Sequence, residues 1–277
     1  MERDGVAVRF ERYGEGEPAI LLLPTWTLVH ARHWKMQIAY LARHFSALCF
    51  DGPGNGGSYA STEPAAYSDV AYARNAVAVL DAAEVDKAVL VGLSCAASWG
   101  LRLRAEHPGR VLGAVFIAPA VPLMPRLPER RVQRFDAVFD DPVDWEKYNA
   151  HHWKTDYPDF VRFLMGRIFT EPHSTKQIED ATGWALETDG ETLVASDLGL
   201  LGFDERTTRK LAARGTCPVL VIHGSDDAVR GHGEGAALAE LTGGELVTIA
   251  GGGHFPHTRD PVRVNMLIKQ FADGVAR

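Results

Sequence analysis

The chain has 277 residues, 46% of them hydrophobic and 23% charged. That length and balance suit one large domain, or one domain carrying an insertion, with a sizeable core. The formal net charge of −7 and the lack of a basic run argue against a nucleic-acid partner. Arg126, Arg130, Arg131 and Arg134 cluster, but Glu129 and Asp136 interrupt them, and the segment reads as a solvated helix face.

The first residues, Met1-Glu-Arg-Asp-Gly, are charged and lead into no apolar segment of the kind a secretory signal needs. No apolar run approaches the ~20 residues that span a bilayer. Cys49, Cys95 and Cys217 are odd in number and sit in or beside apolar runs. They read as buried or semi-buried thiols of a reducing compartment, so the expected location is cytoplasmic. His151-His152 and the pair His254 and His257 are the candidate metal ligands, yet no Cys/His spacing matches a metal site, and none is expected.

Val6 to Tyr13 alternates apolar and polar residues, as an antiparallel edge strand does. Gly14 to Pro18 is a turn. Ala19 to Leu23 is fully apolar, the pattern of a strand buried on both faces, and it runs into the loop Pro24-Thr25-Trp26. Ala31 to Arg43 has helical spacing, with Trp34, Ile38 and Leu41 on one side. Phe45 to Phe50 is the next strand. The Gly-rich Asp51-Gly-Pro-Gly-Asn-Gly-Gly-Ser58 follows it, but it lacks both G-x-G-x-x-G and a Lys-Ser/Thr, so it reads as a tight turn beside a pocket rather than a nucleotide site.

Ser68 to Glu84 is a helix capped by Ser68 or Asp69. Lys87 to Leu93 is a strand, Ala96 to Glu106 a helix, and Val111 to Ile117 a strand. From Val121 to about Arg206 the strand rhythm stops. Prolines, charges and aromatics, including Trp145, Tyr148, Trp153, Phe160 and Trp184, mark a helical insertion. Strands return at Pro218 to Ile222 and Glu245 to Ile249, with helices at Gly233 to Leu241 and Pro261 to Ala272. Alternating strands and helices imply an α/β fold with a mostly parallel sheet covered on both faces. Ligands of such sheets bind beyond the carboxyl ends of the strands.

Three of those strand ends carry chemistry. After Leu93, Ser94 stands between the small residues Gly92 and Ala96, as a sharp strand-to-helix turn requires. After Ile222 comes His223-Gly-Ser-Asp-Asp227, and after Ile249 comes Ala250-Gly-Gly-Gly-His254. Serine is a poor nucleophile without a base, and the base needs an orienting group; a carboxylate and an imidazole at neighbouring strand ends can supply both.

These motifs resemble those of the α/β-hydrolase superfamily over nearly the whole chain. Gly92-Leu-Ser94-Cys-Ala96 is similar to the family's nucleophile elbow, with Ala96 in place of the last glycine. Gly224-Ser-Asp-Asp227 resembles its acid loop, which points to Asp227 rather than Asp226. Gly253-His254 resembles its histidine loop, and Asp51 to Ser58 its D-x-x-G-x-G-x-S turn. The resemblance implies a triad of Ser94, Asp227 and His254, with His257 as the alternative base, and no metal or organic cofactor. It places the oxyanion donors at the backbone N–H of Cys95 and of Trp26, with Thr25 as a second candidate. Many relatives have His-Gly-x where this chain has Pro24-Thr25-Trp26. The Cys95 thiol is expected to face the core side of the turn.

The same resemblance divides the chain into an α/β-hydrolase core, 1–120 and 207–277, and a helical cap, 121–206. Thr25, Trp145, Trp153 and Trp184 are its candidate substrate contacts, and the cap aromatics would favour a small-molecule substrate with a bulky apolar acyl or alcohol group. Parts of 24–35 and 171–180 also look similar to a bacterial subgroup of hydrolase modules, some of them joined to nucleotide cyclase domains. The expected activity is a serine hydrolase acting on a carboxylic ester, lactone or thioester. The alternatives are acyl transfer or cyclisation on the same fold, and a non-catalytic ligand receptor.

Overall fold

The computed structural model describes residues 1–3 and 6–276; Asp4 and Gly5, part of the charged N-terminal stretch, and Arg277 lie outside the described residues. Seven strands form one sheet: β1 (Phe10–Tyr13), β2 (Ala19–Leu22), β3 (Ala47–Phe50), β4 (Ala88–Leu93), β5 (Val111–Ile117), β6 (Val219–Gly224) and β7 (Glu245–Ile249). Their spatial order is β1-β3-β2-β4-β5-β6-β7. Only β1 runs antiparallel to its neighbour, with Phe10 opposite Phe50 and Tyr13 opposite Ala47. All other pairings are parallel. The expected Val6–Tyr13 strand is divided: Val6–Ala7 pairs with Glu2–Arg3 in a separate ribbon, and only Phe10–Tyr13 joins the sheet.

The central strands read as unbroken apolar runs because each face has its own core. In β2, Ile20 and Leu22 point to one cluster and Ala19 and Leu21 to the other. In β4 the alternation is Val89, Val91 and Leu93 against Ala88 and Leu90. On the first face lie α1 (Lys35–Leu41) and α11 (Pro261–Val275), which pack together through residues such as Leu41, Val264 and Ile268. On the second lie α2 (Asp69–Ala82), α3 (Ala96–Glu106), α8 (Glu205–Arg214) and α9 (His232–Thr242). Ser68 caps α2 by accepting from the Ala71 N–H. The helix expected from Ala31 begins with a 3₁₀ turn, Ala31–Trp34, before α1.

Between β5 and α8 the described elements are all helical: short 3₁₀ turns at Pro128–Val132 and Asp144–Lys147, then α4 (Ala150–Thr155), α5 (Tyr157–Ile168), α6 (Thr175–Ala185) and α7 (Gly190–Leu200). Helix α8 packs on α3 and α9, so a boundary drawn at 206–207 falls inside a helix of the sheet layer. Among the described residues, no helix is long and apolar enough to cross a membrane.

Candidate active site

Ser94 sits at the corner between β4 and α3 with φ +54°, a left-handed conformation that a residue with a Cβ adopts only under strain. The corner closes because its neighbours are small. A Cβ on Gly92 would lie 2.8 Å from the Ala96 Cβ. The Ser94 N–H donates to Ile117 O at 2.9 Å, which ties the corner to β5.

The carboxylate and imidazole loops arrive from β6 and β7. They lie against each other so closely that a Cβ on Gly224 would be 2.1 Å from Gly252 O. Ser225 N donates to Ile249 O and Asp226 N to Gly252 O, both at 3.0 Å. His254 N donates to Ile168 O at the end of α5, anchoring the histidine loop beneath the helical insertion.

The side chains form one hydrogen-bonded chain. Ser94 Oγ lies 3.0 Å from His254 Nε2, and His254 Nδ1 lies 2.7 Å from Asp227 Oδ2. All three residues are buried. Asp227 Oδ1 accepts the N–H groups of Val229 and Arg230, each at 2.8 Å. Burial alone would push the Asp227 carboxyl up, but the facing His254 and the bonds from His223 and His254 outweigh it and hold the group well below the usual carboxylate range. Asp226 is exposed and accepts from its neighbour Ser225 instead.

Ser94 opens on a cavity of about 80 Å³ lined by Thr25, Trp26, Cys95, Trp145, Arg130 and Arg230, among others. The backbone N–H groups of Trp26 and Cys95 have no acceptor among the described residues. The Pro24-Thr25-Trp26 loop is held by hydrogen bonds from three side chains. Trp34 Nε1 donates to Leu23 O, Trp99 Nε1 to Pro24 O, and Thr25 Oγ1 to Leu93 O. Asn55 Nδ2 donates to Thr27 O and Leu28 O, and to Trp184 O across in α6. The Asp51 turn is a structural knot: Asp51 accepts the Ala31 and Gly57 N–H groups, and Ser58 Oγ donates to Asp51 O.

Cys95 packs against the core cluster of the second face, as expected, and the residue also borders the Ser94 cavity. Its crowded surroundings push the thiol up to about 11. Several expectations change. His257 lies in the core, with Nε2 3.1 Å from His33 Nδ1, and burial pushes it down to about 3. His152 meets Asp159. Trp145 lines the cavity, but Trp153 is packed inside the insertion against Phe160, and Trp184 lies tilted against His30 with Lys35 over its ring, on another face. The insertion's aromatics are consumed largely by its own core, and of the three candidate tryptophans only Trp145 lines the Ser94 cavity.

The arginine cluster also divides. Arg130 is buried, not solvated. It lies in the 3₁₀ turn Pro128–Val132, with its guanidinium 4.6 Å from the Trp145 ring and 5.4 Å from the Tyr148 ring. Arg130, Arg230 and Tyr148 were not legible as pocket residues in the sequence. The only available signal was the interruption of the basic cluster, which pointed to surface.

A family model described as alpha/beta hydrolase fold matches residues 18–261. A pimeloyl-[acyl-carrier protein] methyl ester esterase of Xanthomonas campestris is 30% identical over 245 residues, covering 86% of this chain and 88% of its own. A 3-oxoadipate enol-lactonase of Acinetobacter baylyi is 23% identical, covering 95% and 92%. Among solved structures, one described as Est816, an N-acyl homoserine lactone degrading enzyme, superposes with a TM-score of 0.79 at 24% identity, covering 98% of each chain. With this sheet, this strand order and a family match that spans most of its length, the chain belongs to the α/β-hydrolase family.

Proposed function

We propose that the protein is a serine hydrolase that cleaves a carboxylic ester, lactone or thioester through an acyl-enzyme. The observation that carries this reading is the unbroken run Ser94 Oγ, His254, Asp227 at a strained corner that opens on a cavity. In this reading Ser94 Oγ attacks the acyl carbon as its proton passes to His254 Nε2. Asp227 accepts from His254 Nδ1 and stabilises the imidazolium. The Trp26 and Cys95 N–H groups receive the charge that develops on the carbonyl oxygen. His254 returns the proton to the leaving alcohol or thiol, then draws one from water, whose oxygen attacks the acyl-enzyme and frees the acid and Ser94.

The helical insertion acts as a cap over this reaction. It contributes Arg130, Trp145, Tyr148, Leu164 and Ile168 to the cavity wall. Relatives named for methyl ester and enol-lactone hydrolysis support the reaction class. The test is turnover of p-nitrophenyl esters by the wild type and by Ser94→Ala, with mass spectrometry after a fluorophosphonate. Turnover that falls by about 10⁴-fold or more in Ser94→Ala, with one adduct on Ser94, is expected. Activity surviving in Ser94→Ala would overturn the reading, and a burst without turnover would assign acyl transfer instead.

A further inference from the structure

Arg130 is a buried cation with no ion pair among the described residues. Its Nη1 donates to Val229 O at 2.5 Å, while its Nε is enclosed and has no acceptor among the described residues. Nη2 likewise donates to no described group, so the Nε–Nη2 edge, the side-on fork that matches a carboxylate, is left free of protein acceptors. The neighbouring carboxylates are engaged elsewhere. Glu234 accepts from Arg230 at 2.7 Å, Asp197 accepts from the Tyr148 hydroxyl, and Asp136 is exposed. Arg126, exposed at the rim, donates to Gln133. A second donor on the same cavity wall, Trp26 Nε1, is also buried without an acceptor among the described residues.

Burying a guanidinium without a counter-ion is costly, and a site that tolerates it is complete only when an anion arrives. Arg130 holds its place through the Trp145 and Tyr148 rings rather than through a carboxylate. It also stands at the junction of two chambers. It lines both the cavity of about 80 Å³ at Ser94 and an adjoining cavity of about 420 Å³ that shares Cys95, Ala120, Tyr148, Leu200 and Arg230 with it.

We propose that Arg130 is a specificity-determining residue that binds a carboxylate carried by the substrate, so that the bond cleaved at Ser94 lies a few atoms from a second, ionised carboxyl group. This deepens the serine hydrolase reading and rests on it for the reaction, but not for the binding. The substrate class is the half-ester, lactone or thioester of a short dicarboxylic acid.

The test measures binding first. Ser94→Ala protein is titrated calorimetrically with monomethyl glutarate and with methyl pentanoate, its neutral counterpart of similar size. The expected result is a preference for monomethyl glutarate of about 10- to 100-fold, the range for a hydrogen bond to a charged group. Adding Arg130→Met should reduce the preference to about threefold or less, and Arg130→Lys should recover part of it. Circular dichroism checks the fold of each variant, and the preference in Ser94→Ala alone stands even if Arg130→Met does not fold. Equal binding of the two esters, no measurable binding of monomethyl glutarate, or a preference that survives Arg130→Met overturns the proposal. Kinetics separate it from a role on the oxyanion. Arg130→Met should lower kcat/KM for mono-p-nitrophenyl glutarate at least about tenfold more than for p-nitrophenyl pentanoate; an equal loss for both esters also overturns it. Failure of fluorophosphonate labelling at Ser94 would count against the hydrolase reading and leave the binding result standing.

Discussion

Asp227 Oδ2 is shared by two histidines: His254 Nδ1 at 2.7 Å and His223 Nε2 at 3.0 Å. His223 Nε2 also lies 3.0 Å from Arg230 O, so it faces two acceptors and must carry the proton. His223 is fully buried in β6, one residue before the close approach at Gly224, and its Nδ1 is pressed against α9 at Gly235. We propose that it acts as a positioning residue for Asp227. His223→Phe should lower kcat for an ester substrate by about 10- to 100-fold with little change in KM, and His223→Gln, which keeps a donor, should recover part of the loss. A KM effect without a kcat effect would contradict the assignment.

Cys95 follows Ser94, the proposed nucleophile, but has the chemistry of an inert thiol. Its surroundings push it up to about 11, while burial pushes Cys49 up to about 12. A thiolate is scarce at neutral pH in either case. Cys95→Ala should retain ester turnover within about threefold, because the proposed contribution of this residue is its backbone N–H. Iodoacetamide at pH 7.5 should leave the wild-type activity unchanged over a period that inactivates an ordinary free thiol. Loss of turnover in step with alkylation of Cys95 would reverse this view.

The corner at Ser94 is sensitive to a single methyl group. A Cβ at Gly92 would stand 2.8 Å from the Ala96 Cβ and 3.4 Å from the Ala96 backbone. Gly92→Ala should therefore cost about 1–3 kcal/mol in a urea unfolding experiment. It should also lower kcat, because relief comes only by opening the corner that presents Ser94. Ala96→Gly relieves the contact from the other side, so the double variant Gly92→Ala/Ala96→Gly should recover part of the stability.

Asp197, on α7 beside the arginines, supplies a pH signature. Burial pushes its carboxyl from 3.8 up to about 6, against the opposing effects of the Tyr148 bond and of Arg130 and Arg126. Below about pH 4 both the folded and the unfolded chain hold the proton, and the group imposes no penalty. Between about pH 4 and 6 the unfolded chain releases it first, so stability falls as pH rises, and above about 6 the penalty is constant. Asp197→Asn keeps an acceptor for Tyr148 and removes the cost of burying the charge. It should gain about 1–2 kcal/mol over the wild type at pH 7.5, allowing for the solvent that reaches the residue, and little at pH 4. Thermal or urea unfolding at the two pH values checks the difference.

The local code of the chain determined its sheet and the strand ends that matter. Apolar runs and the turn residues between them record which segments become strands; Ser94 follows one directly, and Asp227 and His254 lie in the loops just after two others. Small residues at 92 and 96 record the sharp corner, because crowding there is set by near neighbours in sequence. The edge at Val6–Tyr13 was less legible, since alternation alone does not say where the ribbon ends and the sheet begins.

What the tertiary structure decided is everything that depends on contact across the chain. Arg130 looks solvated from its charged neighbours, and only the packing of Trp145 and Tyr148 makes it a buried cation beside Ser94. Trp145, Trp153 and Trp184 look alike in sequence, yet one lines the cavity, one fills the insertion's core and one covers a different face. Asn55 reaches Thr27, Leu28 and Trp184 only because separate loops meet. Burial and hydrogen-bond partnership are properties of the assembled surfaces, and no short stretch of sequence carries them.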